Sequence, residues 1–159
     1  MNEAEWPDRG AHDVAVASIR RHSMKMDEWE WTAIAELRPQ LAHRVLLHAQ
    51  ELPLASAFIN DKSWYAFTTR RIVACHGGVI GEIDPRYGIE SKFSMFFKGM
   101  PGDLDRTDNR LPIETAHVRS LRTGESIAFE YETGYASMAP IYAIRFWNGN
   151  SRFRLPISE

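Results

Sequence analysis

The chain has 159 residues, 44% of them hydrophobic and 25% charged, which is the length of one domain with enough apolar material for a core. Its 19 Lys and Arg against 21 Asp and Glu leave a formal charge of -2, and this balance excludes a globally basic nucleic-acid binder and a strongly acidic tail. The single cysteine, Cys75, excludes an internal disulfide and a cysteine-based zinc cluster.

Residues 1–60 hold no long apolar run behind a basic stretch, so no signal peptide is expected. No window approaches the roughly 20 apolar residues that a membrane-spanning helix needs. With one unpaired thiol, the expected protein is a single cytoplasmic domain over residues 1–159.

In chain order, residues 1–26 mix charge with isolated apolar residues and read as weakly structured, with Val16, Ile19 and Arg20-Arg21 supporting a short helix at most. Residues 27–52 read as helical. Asp27 takes the N-cap position, Glu28 and Glu30 fall in the first turn, and Ile34, Leu37, Leu41, Val45 and Ala49 recur at three and four. Pro39 divides that stripe into a kinked helix or a pair of short helices, and Pro53 ends it.

After Pro53 the period falls from about 3.6 to 2. Residues 63–69 and 71–76 are rich in aromatic and β-branched side chains, and Gly77-Gly78 is a hairpin turn into 79–84. Residues 89–97 place Ile89, Ser91, Phe93, Met95 and Phe97 on one face of a strand. Residues 99–109 (GMPGDLDRTDN) read as a mobile loop, and 112–118, 126–132, 141–147 and 152–157 as further strands. Residues 57–157 are therefore mainly β, and the fold class is α+β. An N-terminal helix or kinked helix pair is expected on an antiparallel β-sheet or small β-barrel, with Ile34, Leu37, Leu41 and Val45 against Phe67, Ile72, Phe93, Phe129, Ile144 and Phe153.

Within this run, Trp64-Tyr65-Ala66-Phe67-Thr68-Thr69-Arg70-Arg71-Ile72-Val73, then Gly77-Gly78 and residues 79–84, resembles the opening strands of bacterial pleckstrin-homology-like (PH-like) domains. The resemblance extends over roughly residues 57–157, with its motif confined to 64–84. It implies a small β-barrel that serves as a non-catalytic binding scaffold, and it implies no particular ligand. That family closes its barrel with a C-terminal helix, whereas the pattern here ends on strand 152–157.

No catalytic constellation emerges, so no enzyme, cofactor or metal is expected. The histidines His12, His22, His43, His48, His76 and His117 are scattered, and the five-residue step from His43 to His48 does not put both on one metal. Asp103, Asp105 and Asp108 lack the Gly and Glu of a calcium loop. Ser126 and Ser137 lack the frame of a nucleophile elbow, and Gly77-Gly78 and Gly99–Gly102 lead into no Gly-Lys-Ser/Thr. Cys75 falls within a strand, as a buried inert thiol.

The C-terminus carries the densest pattern. With Asn148-Gly149 as a two-residue turn, Tyr142, Ile144, Phe146, Phe153 and Leu155 share a core face, and Arg145, Trp147, Arg152 and Arg154 gather on the outer one. Two readings stay open. Glu130 and Glu132, outward on a neighbouring strand, pair with those arginines; or the Arg/Trp face docks an acidic or phosphate-bearing partner. The expected function is accordingly a small PH-like module that binds a protein partner, with no nucleic acid. An immunity-type inhibitor of a toxin and an enzyme with a dispersed active site are the alternatives.

Overall fold

The computed structural model describes residues 6–99 and 112–155. The fold class is α+β. Strands β1 (Thr32–Ile34), β2 (Pro53–Asn60), β3 (Ser63–Thr68), β4 (Ile72–His76) and β5 (Val79–Ile83) form a five-stranded antiparallel sheet in that order. Strands β6 (Ile89–Lys92), β7 (Ile113–Ser120) and β8 (Ser126–Glu132) form a three-stranded one. Two helices accompany them, α1 (Asp8–His22) and α2 (Met138–Gly149).

Every residue of β3 is buried. Period-2 alternation sends Tyr65 and Phe67 toward the second sheet, where their rings meet Phe129 of β8 at 5.1 and 5.6 Å. Trp64 and Ala66 point the other way, into a cluster with Leu41, Val45, Val73 and Cys75. The hairpin into β5 turns at Gly77 and Gly78, whose φ values of 60° and 84° are what such a two-residue turn demands. The sheets close on each other at Gly81, where a Cβ would lie 2.6 Å from Ile127 Cγ2 of β8. Strands β3, β4, β5, β7 and β8 fall where the sequence pattern places them, in two sheets.

Several stretches depart from expectation. Residues 8–22, expected to be weakly structured, form a 15-residue helix whose buried face is Asp8, Ala11, Ala15, Val16 and Ile19. Alanines supply much of that face, so its apolar periodicity is faint, while Arg20, Arg21 and His22 suit the negative end of its dipole.

Residues 27–52 are not a helix. They contain a 3-10 turn (Met26–Glu28), strand β1, a second 3-10 turn (Pro39–Leu41) and irregular chain. Their backbone groups are claimed from a distance instead. The Glu30 and Trp31 N–H groups donate to the Glu132 carboxylate at 2.8 and 3.0 Å, and the Thr32 hydroxyl joins them at 2.7 Å. Ser56 Oγ accepts from the Arg38 N–H and donates to the Glu36 carbonyl. Ile34 and Leu37 are only partly buried, against different clusters, whereas Leu41 and Val45 are buried as expected.

Residues 141–147 are not a strand, and Asn148-Gly149 is not a hairpin turn. They belong to α2, which buries Ala139, Pro140, Ala143, Ile144, Phe146 and Trp147 at helical spacing. Pro140 is tolerated because the first helical turn has no N–H partners to lose. The expected strand at 152–157 is absent from its described part: Ser151–Phe153 form a 3-10 turn and residues 154–155 are irregular. α2 packs on α1, where Trp6 just ahead of that helix stacks on Trp147 at 6.2 Å and His22 on Tyr142 at 3.8 Å.

Leu41 fills the outer face of β3 with no exposed surface. Leu41→Ala should therefore cost about 2–5 kcal/mol in denaturant unfolding. A loss below roughly 0.5 kcal/mol would show that residues 36–52 contribute no packing there.

Candidate functional site

The Thr68–Arg71 motif lies at the turn from β3 to β4, and its polar groups are engaged internally. Arg70 forms an ion pair with Asp8 of α1 at 2.7 Å, with Asp8 also accepting from the Thr69 hydroxyl at 2.5 Å. Arg71 binds Glu51 at 2.9 Å and Glu82 of β5 at 3.1 Å, and the Thr68 hydroxyl donates to Glu51 as well. Burial pushes the Glu51 carboxyl up. Hydrogen bonds from Arg71, Thr68 and the His48 N–H, with the Arg71 charge, outweigh burial and hold it below its ordinary value of 4.5. Burial also lowers Arg71, but Glu51 and Glu82 more than restore it, leaving Arg71 raised. This lattice clamps α1, residues 46–51 and β5 onto one hairpin.

The four C-terminal residues expected on one docking face are dispersed. Trp147 has no exposed surface. Arg154, half-buried at the end of α2, donates to the carbonyls of Trp147 and Asn148 that the helix leaves open. Arg152 is exposed, with its guanidinium 4.7 Å from the Phe153 ring centroid. Arg145 is exposed on α2, 5.1 Å from the Tyr142 ring. Among the described residues none of the three arginines pairs with Glu130 or Glu132. Glu132 is buried under residues 30–32, and Glu130 lies 3.8 Å from His76 Nδ1.

Arg145 instead lines a groove that the sequence did not foreshadow. On one side β6 ends at Lys92, and residues 93–99 leave the expected strand as a pinned turn. Ser94 Oγ donates to Glu114 at 2.7 Å, and the Gly134 N–H donates to the Phe97 carbonyl at 2.8 Å. Facing this wall, α2 presents Met138, Ile141, Tyr142, Arg145 and Asn148, the residues left over when its other face packs inward. Between them is a hollow of about 530 Å³, walled also by Ser91, Phe93, Phe97 and Lys98.

A second hollow of about 500 Å³ continues from it, sharing Lys98 and Met138 and adding His22, Met24, Gly134 and Tyr135. Met24 and Tyr135 are 57% and 49% exposed, so this hollow opens onto apolar surface. Lys25, in a left-handed backbone conformation at φ 54°, carries its ammonium 5.4 Å from the Tyr135 ring. The lining thus combines rings and thioethers with Lys98, Arg145 and His22, and holds no carboxylate. Asp27 and Glu28, on the turn that follows, line neither hollow. The available sequence signal was the run Phe93 to Lys98 opposite Tyr142 and Arg145, but the second half is legible only once residues 138–149 are helical.

Other candidates resolve simply. Cys75 is buried, Ser137 Oγ donates to the Gly134 carbonyl, and Asp103, Asp105 and Asp108, with most of the expected 99–109 loop, lie outside the described residues. Among the described residues no group of three His, Cys, Asp or Glu side chains converges as a metal site, and no helix is long and apolar enough to cross a membrane. No family model matches the chain, and neither a curated protein nor a solved structure matches it.

A carboxyl whose folded pKa is depressed adds stability above its unfolded value and forfeits it as pH falls through the folded one. The stability margin of wild type over Glu51→Gln should be constant above about pH 4.5 and shrink below it, in denaturant midpoints taken from neutral to acid pH. A margin that does not change with pH would reduce Glu51 to a packing role.

Proposed function

We propose that this protein is a non-catalytic PH-like binding module that docks an acidic protein partner in the groove between α2 and residues 91–98. The observation that carries the reading is the lining: aromatic and methionine side chains with Lys98, Arg145 and His22, and no carboxylate among them. A chain with a net charge of -2 that keeps acids out of one apolar groove is electrostatically complementary to an anionic, partly apolar ligand. Two antiparallel sheets, of five and three strands, followed by a C-terminal helix support the PH-like reading, since the domains that residues 64–84 resemble close with such a helix. The unpaired, buried thiol of Cys75 fits a reducing cytoplasm.

Anilinonaphthalene sulfonate, an aromatic frame with one negative charge, has the chemistry the groove selects. Fluorescence titration should show binding to the folded protein, weakened about tenfold or more in a Lys98→Glu, Arg145→Glu double variant with an unchanged thermal melt. Equal binding by that folded variant would defeat the reading.

A further inference from the structure

β6 is an outer strand of its sheet. β7 pairs with one edge, and among the described residues no strand pairs with the other. A strand with a single neighbour leaves alternate N–H and C=O groups without ladder partners, ready to template another strand. Ser91, on β6, and Phe93, just beyond it, belong to one wall of the groove, and α2 is the other. From Met138 to Asn148 the helix wall runs about 15 Å at about 1.5 Å per residue. An extended chain spans that length in about four or five residues at about 3.3 Å each. β6 itself has four residues.

We propose that the groove takes a short, extended acidic peptide segment, which pairs with the free edge of β6 as an added strand. Its apolar side chains lie toward Phe93, Ile141 and Tyr142, and its carboxylates toward Lys98 and Arg145. The inference rests on the groove being the docking site. Main-chain pairing supplies affinity without regard to sequence, and the alternate side chains supply selectivity. A docked helix is disfavoured because its backbone is already satisfied and leaves the β6 edge groups unpaired. The charge preference follows from the lining. Glu90, the one carboxylate on β6, is held by Arg119 of β7 at 2.6 Å and lines neither hollow of the groove.

The test is selection of displayed random nine-residue peptides on the wild-type protein, followed by synthesis of the enriched sequences. The expected consensus alternates acidic and apolar residues, and binds the folded Lys98→Glu, Arg145→Glu variant at least tenfold more weakly. Methylating the backbone nitrogens of one alternate set should cost at least tenfold in affinity, while methylating the other set is tolerated. Peptides that need Lys98 and Arg145 but tolerate methylation of both sets would overturn strand addition and leave the groove reading standing. Peptides indifferent to the charge variant would overturn both. A selection that enriches nothing would overturn strand addition, with the groove reading then decided by the sulfonate titration.

Discussion

Strand β3 has no solvent face, and that constraint organises the molecule. A strand buried on one side needs one covering layer; Ser63–Thr68 needs two. The second sheet supplies the first through Phe129. The irregular chain of residues 36–52 supplies the other by setting Leu41 and Val45 over Trp64 and Ala66. Irregular chain can serve as a layer only if its polar backbone is satisfied, and here side chains do this work. Ser56 bridges Glu36 and Arg38, Glu51 accepts from the His48 N–H, and Arg71 donates to the Leu46 carbonyl.

The charged lattice around Arg70 and Arg71 has a related role. A buried carboxylate is tolerable where charge and hydrogen bonds replace its lost water, and Glu51 receives both. Asp8 and Glu51 come from segments far from the β3–β4 hairpin in sequence, so each pair joins distant chain at a site where an unpaired charge would be costly. The paired arginines of the motif that carries the PH-like resemblance are structural here, because their guanidinium groups have partners within the chain.

The groove follows from what the packing leaves over. α2 spends its Ala139, Ala143, Phe146 and Trp147 face on the core, which turns Met138, Tyr142 and Arg145 outward beside the wall that Ser94 and Phe97 hold in place. Because that wall is pinned to Glu114 and Gly134, the groove is preorganised, and a ligand need not bear the entropy of ordering it.

The sequence by itself determined the α+β class and the β3 to β5 meander, because alternation and the positive-φ glycines at 77 and 78 are local signals that no distant contact had to supply. It also identified Leu41 and Val45 as core, since their burial depends on being apolar and nearby rather than on helical geometry. Tertiary structure alone decided two segments whose local pattern points elsewhere, and of these only residues 138–149 line the groove. Residues 27–52 carry a helical stripe, but β2 and a carboxylate on β8 offered their backbone groups better partners than a proline-broken helix could. Residues 138–149 satisfy period 2 at Tyr142, Ile144 and Phe146, and period 3.6 at Ala139, Ala143 and Phe146. Local pattern cannot rank two periods that each find an apolar face in one segment. The choice fell to the helix because Trp147 packs on Trp6 and Ala143 is wholly buried, contacts that exist only once α1 is folded beside it.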